Sequence, residues 1–130
     1  MYHGLFDSED LSKTSVANST YHQSYHSLSV GTARIIVLDA ECPSPEQSAF
    51  LNRELQSAVF QGAEFKIIAI HVPPYVEFWD PYAWNGKGEK HWDEHIRTEY
   101  DPLSRKHGVD LVISGHQHNY QRLAVHRGSG

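Results

Sequence analysis

Three short apolar runs decide most of what this chain can become. Arg34-Ile35-Ile36-Val37-Leu38, Phe65-Lys66-Ile67-Ile68-Ala69-Ile70 and Val109-Asp110-Leu111-Val112-Ile113 are rich in β-branched residues. They are apolar on consecutive positions, as in strands covered on both faces. Helical patterns fill the intervals between them. Strand, helix, strand, helix, strand, with polar clusters where the strands end, is the signature of an α/β layered fold.

The first run is preceded by Tyr25 to Val30, where Tyr25, Ser27 and Ser29 alternate with His26, Leu28 and Val30, and Gly31-Thr32 follows. This predicts two strands joined by a short glycine-containing turn. Ser44-Pro45-Glu46-Gln47 predicts a helix start, with Ser44 as N-cap, Pro45 in the first helical position and Gln47 closing a capping box. Phe50, Leu51, Leu55, Ala58 and Val59 continue at helical spacing, so one helix is expected over 45–59, stopped by Gly62. A second helix is expected from Asp93 to Tyr100, broken or kinked at Pro102, with a final turn over Leu103 to His107. Arg122 to His126 is expected to be one more strand.

Residues 1–24 are polar and without period, and read as a separate N-terminal segment ahead of the organised region 25–130. The net charge of −5 argues against nucleic acid or an anionic membrane surface as the main partner. No apolar run reaches membrane-spanning length, and Met1 to Asp10 has no signal-peptide pattern; localisation stays open. The single cysteine, Cys42, excludes an internal disulfide, and nothing in the sequence activates it as a nucleophile.

Ten histidines are the unusual feature, and their placement carries the chemistry. Ile70 leads directly into His71, and Ile113-Ser114-Gly115 leads into His116 and His118. In α/β folds ligand sites form at the carboxyl ends of strands, so these chain-distant imidazoles can meet there as ligands for a transition metal. A histidine at a strand end is also commonly a hydrogen-bonding cap. Ser114 and Gly115 allow a sharp turn and close backbone approach. His3, His22, His26, His95, His107 and His126 read as surface or capping groups.

Val109 through Arg122, with Gly115-His116-Gln117-His118-Asn119-Tyr120-Gln121-Arg122, resembles the last signature of the calcineurin-like metallophosphoesterases, and its trailing tyrosine and arginine resemble the purple acid phosphatase branch. Ile68-Ala69-Ile70-His71-Val72-Pro73-Pro74-Tyr75 is similar to the signature before it. The intervening Arg97, Tyr100, Pro102-Leu103 and Lys106-His107-Gly108 match in order, as do Ile36 to Glu41 and the helix with Gln47, Phe50, Leu51 and Leu55.

The resemblance implies a four-layer αββα sandwich, of which this chain represents the C-terminal half. It also implies a hydrolase of phosphoester small molecules that uses two divalent or mixed-valence metal ions (iron, zinc or manganese) and a bridging water or hydroxide. Carried over, His71 and His116 bind one metal and His118 the other, with Tyr120 and Arg122 as supporting groups behind the ligands. The family's Asp-x-His, Gly-Asp and Gly-Asn-His signatures are absent: Asp7, Asp10 and Asp39 lie in no such context, and Asn18 and Asn52 are not followed by histidine. No catalytic residue is assigned. The missing ligands are expected from an absent N-terminal half or a partner chain, leaving this chain poorly active alone. Two alternatives stand beside this. One is a noncatalytic, protein-binding remnant of such a domain, and the other is a mononuclear zinc hydrolase with all three histidines on one ion. Trp79, Tyr82, Trp84 and Trp92 either stack on an aromatic leaving group or pack the loop over the sheet.

Overall fold

The computed structural model describes residues 24–41, 43–75, 94–118 and 120–124. Strand β1 (His26–Val30) and strand β2 (Ala33–Leu38) form the expected hairpin, with Val30 opposite Ala33. Gly31 takes φ +58° while Thr32 stays out of the positive region, the pattern of a type II′ turn, in which a side chain at the first position would be strained. Strand β3 (Phe65–Ile70) lies parallel to β2, and strand β4 (Leu111–Ile113) lies parallel to β3, giving the order β1-β2-β3-β4.

Helix α1 (Pro45–Gln56) begins as read from the sequence, with the Gln47 amide donating to Ser44 Oγ at 3.1 Å. Only half of the capping box forms. The Gln47 side chain turns into the core instead of back to the cap: Asp39 N–H donates to its Oε1 at 2.7 Å, and its Nε2 donates to the Asp39 carbonyl at 2.9 Å and the Tyr100 hydroxyl at 3.0 Å. The single helix expected over 45–59 is two. Ser57 ends α1 and caps helix α2 (Ala58–Gln61), accepting from the Phe60 amide at 3.1 Å. That break rotates the stripe, so Ala58 and Val59 face solvent and Phe60 is buried in their place.

Pro102 does not break the second helix. A π turn (Ile96–Tyr100) precedes helix α3 (Asp101–Lys106), and Asp101 N–H reaches back five residues to the Ile96 carbonyl. The wider turn takes up the proline, which has no amide proton to donate. His107 caps α3 in line with its reading as a capping group, whereas the half-buried His95 makes no side-chain cap bond and stacks edge-on against Tyr100 at 4.7 Å between centroids.

The helices lie on one face of the sheet. Ile36, Leu38, Ile68 and Ile70 point to them and pack with Phe50, Leu51, Leu55, Phe60 and Tyr100. Each such side chain contributes about 1.5–3 kcal/mol by leaving water. Arg34 shares this face, its Nη2 donating to Glu54 Oε2 on α1 at 2.9 Å and to Ser27 Oγ at 2.7 Å. The opposite face presents two apolar rows in register, Leu28-Ile35-Ile67-Leu111 and Val37-Ala69-Ile113. β4 is the exposed edge: Leu111, Val112 and Ile113 are 51%, 37% and 52% accessible, not enclosed as the sequence suggested. A helix layer against one sheet is the α/β arrangement expected for part of the sandwich. The strand expected over Arg122 to His126 does not form in 122–124, and its end lies outside the described residues. Among the described residues no helix is long and apolar enough to cross a membrane.

Candidate metal centre

The parallel strands β2, β3 and β4 end on the same edge of the sheet, and two of those ends deliver imidazole. The Gly115 amide donates to the His71 carbonyl at 3.0 Å, extending the β3–β4 ladder beyond its last strand pair and setting the two loops side by side. The chain then reverses sharply. His116 has φ +71°, and Gln117 N–H donates to the Gly115 carbonyl at 2.9 Å across it, the form of a γ-turn. His118 is also left-handed, at φ +50°. Such backbone is costly for a residue with a Cβ and clusters at functional sites.

The turn brings His116 Nδ1 to 3.4 Å from His71 Nε2, with the rings edge to face and centroids 5.2 Å apart. Gly115 packs directly against the His71 ring: a methyl group on its Cα would stand at van der Waals contact, 3.4 Å from His71 Nδ1. Two nitrogens held at about 2.0–2.1 Å from one tetrahedral ion lie about 3.3–3.4 Å apart, so the observed separation fits a shared transition metal. It is long for a strong hydrogen bond between the rings.

His118 is exposed and does not join them. Among the described residues no three His, Cys, Asp or Glu side chains come together as a metal site. A single ion on all three histidines therefore requires His118 to move. Tyr120 is 88% exposed, Arg122 is also exposed, and neither makes a hydrogen bond or ion pair among the described residues. Asp39 follows β2 as His71 follows β3, but its Oδ1 accepts from Glu41 N–H at 2.8 Å in a local turn. Trp79, Asp80, Tyr82, Trp84, Lys87, His91 and Trp92, like Asp7, Asp10, Cys42, Asn119, His3, His22 and His126, lie outside the described residues.

The segment leaving His71 has an anchor that the sequence did not reveal. Tyr75 donates its hydroxyl proton to Asp101 Oδ2 at 2.8 Å, and Arg105 donates to both, from Nε to Asp101 Oδ2 at 2.8 Å and from Nη2 to the Tyr75 oxygen at 3.0 Å. Burial, followed by the bond to Asp101, raises the Tyr75 phenol above its ordinary range. Only the i, i+4 spacing of Asp101 and Arg105 could have signalled it. Between this anchor, α3, β4 and Gln117 lies an open cavity of about 300 Å³.

No curated protein and no solved structure matches the chain. The family model described as calcineurin-like phosphoesterase matches residues 4–120. With that match over most of its length, this chain belongs to the calcineurin-like phosphoesterases, a family of metal-dependent hydrolases of phosphoesters that bind divalent metals.

Proposed function

We propose that this chain carries the histidine side of a two-metal, acid-phosphatase-like centre of the purple acid phosphatase kind. In this reading His71 and His116 hold one ion and His118 the other, and residues 25–130 correspond to the C-terminal half of the catalytic domain. The observation that carries it is the 3.4 Å approach of His71 Nε2 and His116 Nδ1 from two separate strand ends. When bound, the metal pair supplies Lewis-acid charge and an activated water for attack on a phosphoester. The chain's own residues orient the imidazoles: Gly115 fixes the His71 backbone and the γ-turn aims His116.

The lack of the family's Asp-x-His, Gly-Asp and Gly-Asn-His signatures in the sequence supports a companion reading, in which the chain alone is an orphaned half-site. Bridging carboxylates come from the N-terminal half of the domain or a partner chain, and iron, zinc or manganese is the expected metal. Tyr120 and Arg122 are proposed to pack behind the histidine loop once that half is present.

The test is elemental analysis of purified protein, with His118→Ala alongside, followed by phosphomonoester hydrolysis. Weak or absent metal in both, with no turnover, is expected for the chain alone. Adding a polypeptide that carries the missing aspartate signatures is expected to raise the stoichiometry to two ions, reduced again by His118→Ala. Two tightly held ions and turnover without any such addition would overturn the half-site reading.

A further inference from the structure

We infer that Tyr75 is a positioning residue for His71, acting through the backbone from its anchor on α3. This rests on the proposed role of His71 as a ligand. The link between them is short and stiff. Val72 is buried in the core, and Pro73 and Pro74 have φ fixed by their rings, so a displacement at Tyr75 is transmitted to the strand end.

Tyr75 is fixed in turn by a closed triangle with Asp101 and Arg105, with the guanidinium carbon also 5.8 Å from the Tyr75 ring centroid. The Asp101 carboxylate that accepts from both partners is 13% exposed, while Tyr75 and the Arg105 side chain are open to solvent at 37% and 42%. The bonds are charge-assisted, and the phenol is the member that ties the loop to the helix. Apart from the His71–His116 approach itself, these are the only side-chain hydrogen bonds made by 71–75 among the described residues. His71 is thus held on one side by Gly115 and on the other by Tyr75.

The test compares Tyr75→Phe with Ser48→Ala in the full chain. The first keeps the ring and loses the bridging hydroxyl. The second removes an exposed hydrogen bond to Glu99 on the π turn and leaves the loop alone. Zn²⁺ affinity is measured by calorimetry, and the contact between the His71 and His116 rings is measured in metal-free protein by NMR cross-relaxation. Tyr75→Phe is expected to weaken Zn²⁺ binding about three- to tenfold, less than the 10–100-fold typical of a group bonded directly to a ligand. It is also expected to diminish the ring contact, with Ser48→Ala changing neither. Retention of both signals in Tyr75→Phe, or an equal loss in Ser48→Ala, overturns the inference. If the chain alone binds no Zn²⁺, as the half-site reading allows, the ring contact decides the positioning role by itself, and the metal role of His71 is decided separately in the reconstituted domain.

Discussion

Replacing Gln47 with leucine removes three hydrogen bonds from a fully buried side chain while changing its volume little. Two of them pair the N–H and C=O of Asp39 at the end of β2, and the third reaches Tyr100 on the π turn, so one residue joins sheet, α1 and the second helical segment. At about 1 kcal/mol net per bond the loss is about 3 kcal/mol, and it rises toward 5 if the Asp39 groups stay dry. Asp39 is half-buried, so water reaches part of it, and we expect about 3–4 kcal/mol. With a urea slope of roughly 1.5 kcal/mol/M, the midpoint falls by about 2 M. Gln47→Glu separates hydrogen bonding from packing. Near neutral pH its carboxylate can accept from Asp39 N–H but has no proton for the Asp39 carbonyl. Burial raises its folded-state pKa, so its stabilising contribution is complete below the unfolded value of about 4.3 and is lost as pH rises through the folded one. The Glu variant should therefore approach the parent in acid, whereas the Leu variant should not. A Leu variant within about 1 kcal/mol of the parent, or a Glu variant indifferent to pH, would refute the network account.

Glu54→Ala strands the buried Arg34 guanidinium and is expected to cost about 3–5 kcal/mol, whereas Arg34→Met with Glu54→Leu recovers most of it; a urea double-mutant cycle measures the difference. His26 has its pKa lowered from 6.5 by burial, so its contribution is present above 6.5 and lost as pH falls through the lower folded value. Thermal melts from pH 7 to 5 should show His26→Gln losing less stability than the parent. His118→Gly relieves a left-handed residue and is expected to stabilise metal-free protein by up to about 1 kcal/mol in urea melts, while lowering the metal content of the reconstituted domain.

The hairpin, the three strands and the start of α1 were legible because turn chemistry and apolar runs are local signals. The meeting of His71 and His116 was legible as well, because both follow strands whose ends share a sheet edge. What escaped depends on tertiary partners. Gln47 fits a capping box by spacing, yet Asp39 and Tyr100 offered its amide three bonds where the cap offered one. Ser57 reads as an ordinary helical residue until its hydroxyl is seen capping the next turn. Pro102 predicts a break only if the preceding turn keeps α geometry. The apolar run at β4 predicts enclosure, and nothing within it reports that a neighbouring layer is required.

β4 is only three residues long but is pinned at both ends. At its entry Asp110 N–H donates to the Lys66 carbonyl at 2.8 Å while Lys66 N–H donates to Asp110 Oδ2 at 2.9 Å, and at its exit Gly115 binds His71. Because His116 follows that exit directly, the His71–His116 pair exists only while the strand is docked. Under the proposed metal role, the affinity measured for a metal is the intrinsic affinity multiplied by the docked fraction. Amide exchange at Gly115 therefore reports the same equilibrium that limits ligation, and a layer placed over Leu111 and Ile113 would tighten metal binding without touching a ligand.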